Sequence, residues 1–207
     1  SPDIPLEQSI NPYKGCEHGC VYCFARPNHA YLGLSPGLDF ETRLFAKFNA
    51  PALLDAELRS PRYRCRPIAI GTSTDAYQPV ERDLRITRGL WEVLSAFNHP
   101  AALVTKSALV LRDLDILADM AARRLVQVGI SVTTLDPTVA RTLEPRASAP
   151  HRRLAAIEAL SRAGVPVVAM AAPMIPGLTD HELDSILTAA RCRSPSVRPS
   201  RIPGPMR

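Results

Sequence analysis

Short apolar runs alternate along the chain with longer segments whose apolar residues recur every three or four positions. "PIAIGT" (67–72), "AALVT" (101–105), "LVQVGIS" (125–131) and "VPVVAMAA" (165–172) are near-continuously apolar. That is the pattern of buried strands covered on both faces. "EQSINPY" (7–13) is a weaker candidate for a first strand. Between the strands lie amphipathic segments. In "ERDLRITRGLWEVLSAF" the residues Ile86, Leu90, Val93, Leu94 and Phe97 share one helical face. "RDLDILADMAAR" turns Leu114, Leu117, Ala118 and Ala121 inward, and "HRRLAAIEALSRAG" is opened by Pro150 and closed by Gly164. In "TDHELDSILTAA", Thr179 and Glu182 have capping-box spacing.

This alternation predicts parallel βαβ units. About five units cannot close an eight-fold barrel, which leaves a doubly wound sheet or a partial barrel. No G-x-G-x-x-G follows any strand, so the dinucleotide-binding version of the open sheet lacks its fingerprint. In both architectures chemistry gathers at the carboxyl ends of the strands. Those ends carry Thr72, Ser73, Thr74 and Asp75, then Thr105 and Lys106, then Ser131 and Thr133.

Composition divides the chain. Residues 191–207, "RCRSPSVRPSRIPGPMR", hold five arginines, four prolines and no acid. Removing those five from the 25 basic residues leaves 20, equal to the 20 acidic ones, so the formal charge of +5 resides in the tail. The expectation is a folded unit over 1–190 and a disordered Arg/Pro/Ser-rich tail over 191–207, with the strand due after the last helix missing. "RSPRYRCR" (59–66) sets four arginines around Tyr63, a strand-binding composition or else a solvated connector. No apolar run approaches the roughly 20 residues of a membrane-spanning helix. No signal-peptide pattern opens the chain.

Of the five cysteines, Cys16, Cys20 and Cys23 lie in "CEHGCVYC", spaced C-x3-C-x2-C. A disulfide framework would spread an even number along the chain. The cluster points instead to a metal site in a reducing, cytoplasmic compartment. Cys65, just before the second strand, reads as a packed thiol. A structural zinc takes four ligands, so a zinc-binding interaction module would need His18 or His29 as the fourth. A four-iron cluster takes one thiolate per iron. Three thiolates leave one iron open to a small molecule, and Tyr22 stands beside the last ligand.

Cys16-x3-Cys20-x2-Cys23, with Tyr22 before the final cysteine, resembles the signature of the radical S-adenosylmethionine superfamily. "SINPYKGCEHGCVYCFAR", "GTSTDAYQPVE", "LVTKS" and "PMIPGLTD" extend the resemblance over about residues 8–190, to the branch related to spore photoproduct lyase and labelled DNA repair photolyase-like. The resemblance implies an α/β fold, a partial (β/α)6 TIM-like barrel, here stopping after about the fifth β/α unit. It implies a [4Fe-4S] cluster on the three cysteines and S-adenosyl-L-methionine on the open iron. Reductive cleavage then gives a 5′-deoxyadenosyl radical that abstracts hydrogen from substrate, a lyase-type activity on nucleic acid in the namesake branch. It implies an electron donor such as flavodoxin or ferredoxin. By the same resemblance Lys106 meets the cofactor carboxylate and Ser131 the carboxylate or ribose. Ser73 and Thr74 line the same pocket, and Met174 and Ile175 pack the adenine. Spore photoproduct lyase returns hydrogen from a cysteine near the end of its second strand. "GTSTDAYQPVE" has none, so lesion reversal of that kind is not expected. An inactive, truncated barrel that keeps the motif by descent is a further alternative.

Overall fold

The computed structural model describes residues 7–194 and 198–199. In chain order its elements are β1 (Gln8–Ile10), β2 (Tyr13–Lys14), α1 (Asp39–Thr42), β3 (Phe45–Ala46), α2 (Ala50–Leu58), β4 (Ile68–Ile70), α3 (Glu81–Leu84) and α4 (Ile86–Ala96). They continue with β5 (Ala101–Thr105), α5 (Leu114–Ala122), β6 (Val126–Ser131), α6 (Pro137–Leu143), α7 (Pro150–Arg162), β7 (Val167–Met170), α8 (Leu183–Arg193) and β8 (Arg198–Pro199). Among these residues no helix is long and apolar enough to cross a membrane.

The main sheet runs β1-β4-β5-β6-β7-β8, with every neighbouring pair parallel; β2 and β3 form a separate antiparallel pair. Spatial order follows chain order without reversal. A doubly wound sheet reverses at a switch point, so the fold is the partial TIM-like barrel, and it does not close among the described residues.

Register explains which residues face the helices. Leu103 pairs with Val128, and Val128 with Val167. These side chains are buried in the core with Trp91, Leu94 and Leu117. The opposite, concave face carries Ala102 beside Gln127, Val104 beside Gly129, and Ser131 beside Met170. The apolar runs predicted strands covered on both faces. Instead, Val104 is 41% exposed and Gln127 is open to solvent, so the concave face lacks the second layer. Gly129 sits in a tight spot there: a Cβ would stand 3.0 Å from Met170 Sδ.

Two further expectations change. α8 continues to Arg193, and β8 pairs with β7, so a two-residue sixth strand follows the last helix where none was expected. A proline is tolerated in it because the strand is at the edge. Residues 195–197 and 200–207, where the disordered tail was expected, lie outside the described residues. The Thr179–Glu182 capping box does not form. Thr179 Oγ1 accepts the Ile175 N–H at 2.9 Å, while Glu182 takes the Thr134 hydroxyl and the Leu135 N–H.

A buried ionic cluster ties the outer helices to β2. Glu81 accepts from the Tyr13 hydroxyl, from the Thr87 N–H at 3.0 Å and from Arg112 Nη2 at 2.7 Å. Asp113 accepts from the Tyr77 hydroxyl at 2.8 Å, from Arg112 at 2.8 Å and from Arg88 at 3.1 Å. Both carboxylates are fully buried. Arg112→Ala leaves Glu81 without its cation, and a buried charge stripped of its partner typically costs about 3 kcal/mol or more. A lower urea midpoint with an unchanged slope is the expected result, partly restored by Arg112→Lys.

Candidate metal and cofactor site

The three clustered cysteines leave β2 on a loop at the carboxyl-end face of the sheet. Cys16 and Cys20 are buried and Cys23 half-buried. Gly15 opens the loop at φ +83°, and a Cβ there would lie 2.8 Å from the Phe40 carbonyl oxygen. Only glycine combines that conformation with that approach. The same carbonyl accepts the Cys16 N–H at 2.9 Å. Arg26 donates Nε and Nη2 to the Cys20 carbonyl at 3.1 and 3.0 Å. The Leu143 carbonyl accepts the Val21 N–H at 3.0 Å, and the His18 carbonyl accepts the Arg146 N–H at 3.2 Å.

Burial pushes the Cys20 thiol up to about 12 and raises Cys23 in the same direction. Thiolates here need a positive partner, which a bound metal cluster supplies. Among the described residues no three Cys, His, Asp or Glu side chains converge tightly enough to chelate one ion. A four-iron cluster instead takes one thiolate per iron. Neither histidine is placed as a fourth ligand. His29 Nε2 is 3.1 Å from the Arg43 carbonyl, with its ring edge-on to Phe40. His18 is buried with Nδ1 3.3 Å from Asp75 Oδ2, and its ring also lies against the Cys16 thiol. Burial opposes its charge, but Asp75 first and Cys16 second prevail and hold the imidazolium up at about 10.

The loop meets the concave face through Tyr22. Its hydroxyl donates to Glu144, and its ring lies 5.5 Å from Lys106 Nζ. Lys106 follows β5 in register with Ser131, and its ammonium donates to Ser131 Oγ at 2.6 Å. Glu144 Oε1 is 3.1 Å from the same nitrogen and accepts the Thr133 hydroxyl at 2.7 Å; Arg153 pairs with its other oxygen. Burial alone would raise the Glu144 carboxyl, but the charges of Lys106 and Arg153 hold it down at about 2. Asp75 supports Lys106 from behind, accepting its N–H at 2.8 Å and the Thr105 hydroxyl at 2.7 Å.

The structure therefore brings Cys16, Cys20, Cys23, Tyr22, Lys106 and Ser131 together. Thr74 is placed differently from expectation: its buried hydroxyl donates to the Gly15 carbonyl at 2.7 Å, supporting the cysteine loop. Ser73 is held by its N–H on Asn11 Oδ1 at 2.8 Å. Met174 packs against the core, and Ile175 lies in the loop after β7. Residues 59–66 enter β4 from its amino end, the far end from the cysteines. Arg59 pairs with Asp55 and Arg66 with Glu7, while the Tyr63 hydroxyl joins Gln8 and His99. Cys65 is exposed rather than packed. Glu144 and Arg153 escaped sequence reasoning. Arg153 had a signal: it occupies the stripe of Ala156, Ile157 and Leu160 on α7, an arginine on an apolar face.

A family model described as the radical SAM superfamily matches residues 10–190. The uncharacterized protein Rv2578c of Mycobacterium tuberculosis is 40% identical over 186 residues, covering 89% of this chain. The chain spans 55% of that relative's length. The uncharacterized protein MJ0683 of Methanocaldococcus jannaschii is 27% identical over 173 residues, 84% of this chain and 62% of that protein. Spore photoproduct lyase complexed with dinucleoside spore photoproduct superposes with a TM-score of 0.60 at 17% identity, over 94% of this chain and 61% of that one. SuiB of Streptococcus suis bound to S-adenosylmethionine gives 0.57 at 15% identity, over 91% and 38%.

Because its folded-state pKa is depressed, Glu144 contributes stability that is full above the ordinary carboxylate range and is lost as pH falls toward about 2. Glu144→Gln should cost about 3 kcal/mol near neutrality, and the gap to wild type should narrow steadily on acidification. Denaturant midpoints of both proteins across that range check it.

Proposed function

The chain belongs to the radical S-adenosylmethionine superfamily, and from that premise we propose that it is an enzyme holding a [4Fe-4S] cluster on Cys16, Cys20 and Cys23, with S-adenosyl-L-methionine beside it. When bound, this pair supplies a 5′-deoxyadenosyl radical for hydrogen abstraction, formed by one-electron cleavage of the sulfonium with an electron from a flavodoxin- or ferredoxin-like donor. The observation that carries the reading is the junction at Tyr22. It joins a buried three-thiol loop to a lysine and a hydroxyl on the concave carboxyl-end face.

This chain's own residues bind and orient. An ammonium has three protons. Two of Lys106's are directed at Ser131 and Glu144, with the Tyr22 ring alongside, and the third suits the carboxylate of the nucleotide. Ser131 supplies a hydroxyl to carboxylate or ribose. Glu144 orients the ammonium. Met174 and Ile175, after β7, offer thioether and aliphatic surface to the adenine. Ser73 lies near the pocket mouth; Thr74 serves the site through the loop it supports. Nucleic acid is the substrate class to try first, on the fold shared with the spore photoproduct lyase complex. It would enter at the concave face, since residues 59–66 stand at the opposite end. "GTSTDAYQPVE" lacks a thiol to return hydrogen, which argues for a product other than a repaired dinucleotide.

Anaerobic reconstitution with iron and sulfide, followed by reductant and S-adenosylmethionine, tests this directly. Wild type should release 5′-deoxyadenosine, and alanine at any of the three cysteines should abolish it. Lys106→Ala should keep the cluster but bind S-adenosylmethionine about tenfold or more weakly, the cost of one charge-assisted contact. Uptake of one zinc in place of iron would select the interaction-module reading. A loaded cluster without nucleoside release would select the inactive barrel.

A further inference from the structure

Gln78 belongs to the segment after β4 and is fully buried. Its Oε1 accepts the Glu17 N–H at 2.9 Å. Its Nε2 donates to the Gly15 carbonyl at 3.3 Å and to Thr74 Oγ1 at 3.0 Å. One side-chain amide thus grips a peptide group on each side of Cys16. The remaining partners of residues 15–17 each hold a group on one side of Cys16 or its own N–H. Thr74 holds the Gly15 carbonyl, Phe40 the Cys16 N–H, Arg146 the Glu17 carbonyl, and the Val80 N–H the Glu17 carboxylate at 2.5 Å. Gln78 alone spans the ligand.

We propose that Gln78 is a positioning residue for the metal loop. It fixes the backbone on both sides of Cys16 and keeps the Glu17 N–H turned away from the sulfur ligands. The inference rests on the cluster reading above and adds a consequence for redox potential. Hydrogen bonds to the sulfurs of an iron–sulfur centre favour its more negative, reduced form and raise its potential. An N–H committed to Gln78 makes no such bond, so the Glu17 amide does not raise the potential of a centre that must stay reducing enough to cleave a sulfonium. Glutamine suits the task because its amide both donates and accepts in one plane.

The test uses Gln78→Met, which keeps chain length and apolar bulk but loses both hydrogen-bonding functions. In the metal-free protein, hydrogen exchange at the Glu17 amide should be faster than in wild type. After anaerobic reconstitution, an EPR-monitored redox titration should place the midpoint at a more positive potential, with altered g values. A folded variant in which either readout matches wild type overturns the proposal. Should Gln78→Met fail to fold, Gln78→Glu decides: it keeps an acceptor for Glu17 and loses the donor, so its Glu17 amide should stay protected while the Gly15 end loosens. If wild type itself takes up no iron, the functional reading has failed, and exchange at Glu17 alone still settles the clamp.

Discussion

Everything at the carboxyl-end face depends on pinning a short glycine-flanked loop so that its buried peptide groups are satisfied by the protein and its thiols are left over. Unpaired backbone polar groups away from water are costly, and this loop gives its own away to several distant parts of the chain. The Phe40 carbonyl takes the Cys16 N–H, Leu143 takes the Val21 N–H, and Arg26 takes the Cys20 carbonyl. Thr74 and Gln78 take the Gly15 carbonyl. No short peptide could reproduce this, because the partners come from before and within α1, from the β4–α3 connection and from the end of α6. The folded sheet therefore precedes the metal site in physical logic. The loop is a product of the barrel's connections rather than an autonomous motif.

The parallel sheet contributes the second half of the site through register. Lys106, one residue past β5, and Ser131, at the end of the adjoining β6, lie at the same level, and their side chains meet on the concave face. That face is lined with small or half-open residues, Ala102, Val104 and Gly129, and keeps room that a fully packed core would fill. Glu144 couples the two halves. It accepts from Tyr22 in the loop and pairs with Lys106 at the strand end, while Arg153 anchors it from α7. A buried carboxylate with two cations and a phenol around it specifies a single arrangement, because each alternative strands a charge.

Some of this could be read before any coordinates. Strand identity followed from local periodicity, which survives folding unchanged, and the cysteine spacing is itself a geometric statement about one loop; strand order did not, since the same alternation suits a doubly wound sheet and a partial barrel. Lys106 and Ser131 stood out because strand ends in parallel sheets point to one face. Other features depend on partners far apart in sequence. Thr74 looked like a pocket hydroxyl, but the Gly15 carbonyl, 59 residues earlier, claimed it. Glu182 had the spacing to cap its own helix, yet the β6 exit loop offered it two donors instead. The apolar runs could not reveal that one sheet face is uncovered, since small apolar residues suit a lumen as well as a core. β8 is two residues long with a proline, too short to leave a pattern.

The central claim is that this loop presents three thiolates to a four-iron centre and leaves one iron free for a small molecule. Mössbauer spectroscopy of the chain reconstituted with 57Fe, with and without S-adenosylmethionine, measures that directly. The expected result is a cluster in which a single iron site changes its isomer shift when the nucleotide is added, the other sites staying fixed. A spectrum indifferent to the nucleotide, or a protein that rejects iron and binds zinc, would contradict it.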